Sequence, residues 1–210
     1  MNQFFIIYLL YSMQGVLLLA FSLLITFLIS RTTSLKPLIH YEDYSEYLPI
    51  VTSNIYADLL IILVTFTGVL GSGKSWQVLT RWYKKYRLSA MMADILIGVI
   101  YLLIARYIVH ANRMDVSLFE FGVLAVGVQL VLDFLFYIFF SLVPKGSNHM
   151  LDLFKDWAKY AKLDALWGDS ILILVGVVLS SYLHTQSLNT NLFMLIMGLY
   201  LIPYVIHMRD

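Results

Sequence analysis

Residues 82–94 read WYKKYRLSAMMAD, and 75 positions later residues 157–169 read WAKYAKLDALWGD. The same offset aligns 58–107 with 133–182 without gaps, and 10 of the 50 aligned positions are identical. The identities include Trp, Gly, Lys and Asp, which are less common than apolar residues in this chain. We therefore interpret the chain as a tandem duplication in which each copy consists of two apolar segments and the loop between them.

The composition is that of a polytopic membrane protein. Of the 210 residues, 60% are hydrophobic and 13% are charged, and the mean hydropathy is +0.81. Soluble domains carry about 25% charged residues. The absence of cysteine excludes disulfides and thiolate chemistry. The net charge of +1 is uninformative, and we expect no nucleic-acid partner.

Six apolar segments are long enough to cross a bilayer, which takes about 20 helical residues. They cover roughly residues 4–30, 50–70, 90–110, 118–143, 166–183 and 190–207. The predicted fold is an all-α polytopic helical bundle that forms a single membrane domain over 1–210. An N-terminal anchor and an acidic, Tyr-rich loop (1–49) precede repeat 1 (50–110) and repeat 2 (118–183), and a final span (190–210) follows. Because two-span repeats keep the same orientation, a pseudo-two-fold axis along the membrane normal should relate the copies.

The Lys and Arg residues outside the spans predict the orientation of the chain. Ten of them lie in the loops 71–89 and 144–165 or at the C-terminus, whereas only Arg31, Lys36 and Arg113 lie on the opposite side. Basic loops of membrane proteins stay in the cytosol. We therefore expect both termini and both basic loops to be cytosolic.

Both basic loops contain the pattern of an amphipathic helix. In 76–86 and 150–161, apolar residues recur at helical spacing, opposite the Lys and Arg residues. We predict two interfacial helices in the headgroup plane, with basic faces toward lipid phosphates or a partner; solvated connector helices are the alternative. The candidate lipid- or partner-binding residues are Arg81, Trp82, Lys84, Lys85, Arg87, Lys155, Trp157, Lys159 and Lys162. On the other side, the loop 31–49 is predicted to be an ordered cap or a contact loop.

Ionisable residues within the spans are the candidate functional sites. They are Asp58, Asp94, Asp133, Asp169, Arg106 and Glu120. Each costs about 3 kcal/mol or more in a bilayer, so they should face the bundle interior. The four carboxylates suit a proton relay or a cation site. We favour a structural interpretation, in which they cap helix starts or pair with Lys or Tyr across the repeats, and Arg106 and Glu120 are expected to pair with each other.

One further motif points to nucleotide binding, but its context argues against it. Residues 68–75, GVLGSGKS, match the phosphate-binding pattern G-x-x-x-x-G-K-[ST]. That motif requires a preceding strand in a parallel sheet, whereas 50–70 is long enough to span a bilayer. The five histidines share no i, i+4 spacing, so no metal site is predicted. We expect no enzymatic activity, no catalytic residues and no cofactor.

Residues 81–94 resemble a family of multi-pass membrane proteins from the nucleocytoplasmic large DNA viruses, the giant viruses of algae and amoebae. The same likeness appears in DFLFY (133–137), PKGSN (144–148), GDS (168–170), LNTN (188–191) and LYLIPY (199–204). It extends over roughly 55–205. The resemblance implies no established activity, and it implies a protein of the membrane beneath the capsid or of the host membrane from which that membrane forms.

These observations lead to two hypotheses about function. The first is a structural integral membrane protein of a large DNA virus, in a viral internal or ER-derived membrane. Its basic cytosolic face would engage anionic lipid headgroups or capsid-layer proteins. A second copy of the chain, in a homo-oligomer, is a further candidate partner. The alternative is a proton- or cation-coupled transporter or channel that uses the intramembrane aspartates.

Overall fold

The computed structural model describes residues 3–67, 74–161 and 163–208 of the chain, and the regular structure of these residues is entirely helical. The helices are α1 (Gln3–Thr32), α2 (Tyr47–Thr67), α3 (Lys74–Tyr86), α4 (Leu88–Ala111), α5 (Leu118–Leu142), α6 (His149–Ala161), α7 (Leu163–His184) and α8 (Leu188–Ile206). A short 3₁₀ turn, Tyr44–Glu46, leads into α2. The predicted all-α fold is confirmed.

Six helices of the described part of the chain are long and apolar enough to cross a membrane: α1, α2, α4, α5, α7 and α8. Their apolar windows are Gly15–Thr32, Tyr44–Thr67, Leu88–Ala111, Leu118–Leu142, Trp167–His184 and Leu188–Ile206. Each window overlaps one of the six predicted spans. The chain is therefore a polytopic integral membrane protein.

The helix boundaries repeat at the offset seen in the sequence. Helices α3 and α6 begin and end 75 residues apart, α2 and α5 end 75 residues apart, and α4 and α7 begin 75 residues apart. Helix α2 packs against α4 and α7, and α5 packs against α7 and α4. Exchanging the two repeats leaves this packing pattern unchanged, which is what a parallel repeat predicts.

The connections define two ends of the bundle. The basic end carries α3 and α6, and the opposite end carries the turns that precede α2, α5 and α8. Gly15 of α1 lies against the indole of Trp167, at the start of α7, and His207 lies 3.1 Å from the Arg87 guanidinium. Both ends of the described chain therefore lie at the basic end, as an even number of spans requires. That this side is cytosolic remains a prediction.

Side-chain caps fix several helix starts. Asn148 accepts the N–H groups of Met150 and Leu151, at 2.9 and 3.1 Å, where α6 begins. Helix α5 begins with a capping box: the Ser117 hydroxyl accepts the Glu120 N–H, and the Glu120 carboxylate accepts the Ser117 N–H at 2.7 Å. Glu120 is exposed in this cap, so the prediction that it faces the interior and pairs with Arg106 is wrong.

The element before the phosphate-binding pattern is a spanning helix. Helix α2 ends at Thr67, directly before the first glycine of GVLGSGKS. A nucleotide site of this type needs a strand in that place. Residues 68–73 themselves lie outside the described residues.

At the opposite end, the segment before α2 folds over the bundle. Leu38 and Glu46 are 2% and 1% exposed, whereas Tyr44 is 84% exposed. Asp43 caps the 3₁₀ turn by accepting the Ser45 N–H at 2.9 Å, and its hydrogen bonds with Ser45 lower the pKa of this carboxyl. This segment of the predicted loop 31–49 therefore forms an ordered cap over this end of the bundle.

Candidate functional site

The first buried carboxylate belongs to Asp58, near the middle of α2. Asp58 is 3% exposed, and the Tyr83 hydroxyl of α3 donates to its Oδ1 at 3.1 Å. The same hydroxyl lies against the carboxylate of Asp94. Oδ2 of Asp58 is buried and has no hydrogen-bond partner in the part of the chain that the structure describes. Burial, with the charges of the two carboxylates, raises the pKa of Tyr83 well above its usual value, so this phenol stays protonated and acts as a donor.

Trp82 holds the second carboxylate. Its Nε1 donates to Oδ2 of Asp94 at 3.0 Å. The indole is 5% exposed and packs on Phe154 of α6, with ring centroids 4.7 Å apart. Trp82 is therefore part of the interior, and the prediction that it contacts lipid or a partner is wrong. The physical reason is that the bundle itself covers the apolar face of α3.

In the second repeat, Asp133 of α5 accepts two hydrogen bonds. The donors are the Tyr101 hydroxyl of α4 and the Gln129 side-chain amide. The Ser170 hydroxyl of α7 donates to Gln129 Oε1 at 2.7 Å, so this network joins three spans. Tyr101 belongs to repeat 1 and Asp133 to repeat 2. A carboxylate paired with a tyrosine across the repeats, which the structural interpretation anticipates, is thus present.

Asp169 of α7 connects the two halves. Its carboxylate acts electrostatically on that of Asp58, and the carboxylates of Asp133 and Asp94 act on it. We call these four residues the carboxylate belt. The charged groups that act on Asp58 and Asp169, within the described residues, are other carboxylates of the belt. No three His, Cys, Asp or Glu side chains in the described part of the chain are arranged to hold a metal ion.

The sequence analysis did not identify three side chains that donate to the belt or, in the case of Ser170, to Gln129, which itself donates to Asp133. Tyr83 aligns with Ala158 and Tyr101 with Gly176 at the offset of 75, so the repeat gives no signal for either tyrosine. Ser170 directly follows Asp169, but a serine in a span usually bonds to its own helix. These three roles depend on how the helices pack.

At the opposite end, Arg106 forms a buried ion pair. The residue is fully buried, and its Nη2 lies 2.9 Å from Oε2 of Glu46. The contact is an ion pair by distance rather than an aligned hydrogen bond. Nη2 also donates to the His40 carbonyl at 2.6 Å, and the guanidinium lies 5.0 Å from the Tyr47 ring centroid. The partner of Arg106 is thus Glu46 of the cap, in place of the predicted Glu120.

The exposed side of α3 is basic. Arg81, Lys84, Lys85 and, in the following turn, Arg87 are exposed, and we call them the basic surface. The Lys85 ammonium lies 5.0 Å from the Tyr86 ring centroid. A shallow cleft on the same side is lined by Gln77, Thr80, Arg81, Lys84 and Lys85. The segment 74–87 contains no acidic residue, so this surface is uniformly positive.

Helix α6 differs from α3 despite their alignment. Lys155 donates to the Val143 carbonyl and lies 3.9 Å from the Asp152 carboxylate, and it is 16% exposed. It is turned back onto the preceding loop, so the prediction that it offers a charge to lipid or a partner is wrong. Lys145 pairs with Asp156 at 3.7 Å. The side chains of Trp157, Lys159 and Lys162 lie outside the described residues.

The fold and these sites define a six-span helical membrane protein with a carboxylate belt inside and a basic surface at one end. No protein-family model, curated protein or solved structure matches the chain. The resemblance to proteins of the large DNA viruses therefore remains an expectation.

Proposed function

We propose that the protein is a structural integral membrane protein that organises a membrane through the basic surface of α3. The observation that carries this proposal is the orientation of α3. Its apolar face is buried in the bundle, where Trp82 and Tyr83 are 5% and 2% exposed, and its cations are exposed on the other side. Charges on a helix fixed in this way form a steady positive field that suits anionic headgroups or the acidic face of a partner protein.

The hydrogen bonds of the carboxylate belt support the structural part of this proposal. Tyr83 joins α3 to α2, and Tyr101 joins repeat 1 to repeat 2 through Asp133. Bonds of this kind between spanning helices contribute about 0.6–2 kcal/mol each. They join α3 to its span and the two repeats to each other, which is what a protein that transmits contacts to a membrane requires.

The setting that we propose is a virion membrane or the host membrane from which it forms. The support for it is the resemblance carried by residues 81–94, together with the excess of Lys and Arg at the basic end, which favours a cytosolic location for that end. A capsid-layer protein would then be the partner of the basic surface. Absence of the chain from purified virus particles, measured by mass spectrometry, would remove this setting.

Neutralising the basic surface should weaken its binding to anionic membranes. We expect Arg81→Gln/Lys85→Gln protein, in nanodiscs of neutral lipid, to bind phosphatidylserine vesicles with about 30-fold lower affinity. The reason is that each basic residue near such a surface contributes about 1 kcal/mol. Vesicle co-flotation at low and high salt measures the effect, which salt should reduce.

The matched control removes one cation at the other end of the bundle. Lys36 is exposed there, and Lys36→Gln should leave vesicle binding unchanged. Equal losses in the control and in the double variant would contradict a localised basic surface. Equal binding of the unaltered protein to anionic and neutral vesicles would contradict the proposal itself.

A transport function is favoured by one observation, the meeting of four intramembrane carboxylates from both repeats. Such groups mark ion and proton pathways in many membrane proteins. If the belt is structural, Asp58→Asn/Asp133→Asn protein should fold and proteoliposomes should show no ion flux that depends on these residues. A pH-dependent flux that this double variant abolishes would favour transport over the structural role.

A further inference from the structure

We propose that Asp58 and Asp94 share a bound proton, and that this proton keeps α3 docked on the bundle. The site lies at the junction of α2, α3 and α4, and its ligand is a proton drawn from water. The inference does not rest on the function proposed above, because it concerns how α3 is attached rather than what the basic surface binds.

The geometry brings the two carboxylates together around one phenol. The Tyr83 hydroxyl donates to Oδ1 of Asp58 at 3.1 Å and lies against the carboxylate of Asp94. Trp82 donates to Oδ2 of Asp94 at 3.0 Å. Both donors are adjacent residues of α3, and both acceptors belong to spanning helices. The pair of carboxylates therefore attaches α3 to the spanning helices α2 and α4.

An unpartnered carboxylate oxygen indicates that the pair holds a proton. Asp58 is 3% exposed, and its Oδ2 has no hydrogen-bond partner among the described residues. An ionised carboxylate in that position would keep a charged acceptor unsatisfied in an apolar surrounding, at a cost of several kcal/mol. A proton on either carboxyl gives the pair a donor and removes one charge.

Within the described residues, the charged groups that act on Asp58 are carboxylates. Asp58 meets Tyr83 from α3, Asp94 from α4 and Asp169 from α7, and α8, which also packs on α2, contains no Asp, Glu, Lys or Arg over Leu188–Ile206. Two ionised carboxylates around one hydroxyl, with Asp169 nearby, repel each other strongly because the dielectric constant in a bundle is low. One proton on the pair relieves this repulsion.

The bound proton couples pH to the position of α3. When α3 is docked, the pair binds one proton; when α3 is released, water reaches both carboxylates and the proton leaves to solvent. The docked state therefore binds more protons, so docking is strong at low pH and weakens as the pH rises. Because α3 carries the basic surface, release of the proton would also detach the basic surface from the bundle.

Infrared spectroscopy of the reconstituted protein tests the proton directly. At neutral pH the protein should show the C=O band of a protonated carboxyl, which is separate from the carboxylate bands, and Asp58→Asn or Asp94→Asn should remove one such band. The matched control is the repeat equivalent Asp133→Asn, which should keep the band because Tyr101 and Gln129 satisfy Asp133 as a carboxylate. Absence of the band in the unaltered protein, or its persistence in both Asp58→Asn and Asp94→Asn, would overturn the proposal.

Thiol accessibility tests the docking of α3 independently. The chain contains no cysteine, so each single-cysteine variant has one thiol to alkylate. Val78→Cys measures access to the buried side of α3, and Lys85→Cys measures access to its exposed side. The ratio of their alkylation rates should rise at least several-fold more from neutral to alkaline pH than the same ratio in the Asp58→Asn background, which corrects for the different pKa values of a buried and an exposed thiol. In the Asp58→Asn background the ratio should follow only the ionisation of the two thiols, and Tyr83→Phe should raise it at every pH. A ratio that changes equally with pH in the two backgrounds would refute the coupling.

Discussion

Replacing Arg106 by leucine should destabilise the protein by about 3–5 kcal/mol, because the change leaves the buried Glu46 carboxylate without its cation. Both residues are almost inaccessible, at 0% and 1% exposed, and their charged atoms are 2.9 Å apart. The substitution also removes the bond to the His40 carbonyl that holds the cap. The free energy of unfolding in detergent micelles, with denaturant or heat, measures the loss.

Two further variants separate the ion pair from loss of charge in general. Arg106→Leu/Glu46→Leu should recover most of the stability, because no buried charge is then left alone. Lys36→Leu, at an exposed site of the same end, should change the free energy of unfolding by less than about 0.5 kcal/mol. A double variant as unstable as Arg106→Leu would show that the role of Arg106 does not depend on Glu46.

Gly98→Ala should also reduce stability, by about 1–3 kcal/mol, because the space beside this glycine is filled. A Cβ at Gly98 would lie 2.3 Å from Oδ1 of Asn54. Asn54 is 6% exposed, and its amide donates to the Ile50 carbonyl at 2.8 Å, so its side chain has little room to move away. Close approach at a small residue is a common way for spanning helices to pack.

Gly127 provides the matched control on α5. A Cβ added there meets no atom within 4 Å, so Gly127→Ala should be neutral or stabilising by up to about 1 kcal/mol. Thermal unfolding of both variants in the same detergent compares them. If the two substitutions had equal effects, contact with Asn54 would not be the cause.

The helices and their order along the chain were predictable because they depend on local sequence patterns. Uninterrupted apolar runs set the six spans, and helical spacing of aromatic residues among lysines set α3 and α6. The offset of 75 predicted the order of the helices, and four pairs of helix boundaries follow it. It also relates Asn54 to Gln129, each four residues before an aspartate of the belt. Superposition of the two repeats remains a prediction.

The partners of the charged residues were not predictable, because they depend on tertiary packing. The sequence places Arg106 and Glu120 near the same end of the bundle. The Glu120 carboxylate instead accepts the Ser117 N–H at the start of α5, and the cap brings Glu46 to Arg106. The amphipathic pattern of α3 likewise predicts which residues form its apolar face, but not which helix packs against that face. Whether Trp82 meets lipid or Asp94 is decided by the spans beside it.

The architecture rests on a bundle whose two ends lie on opposite sides of a membrane. Lys85 and Lys145 are exposed at the basic end, and Lys36 and Tyr44 at the opposite end. Because the chain has no cysteine, single cysteines at these four positions can be labelled with a membrane-impermeant maleimide in sealed microsomes. The cysteines at positions 85 and 145 should react from the cytosolic side, and those at positions 36 and 44 should react only after detergent is added. Tags on both termini should likewise be accessible from the cytosolic side. Labelling of the Lys85 and Tyr44 positions from the same side would contradict the six-span architecture.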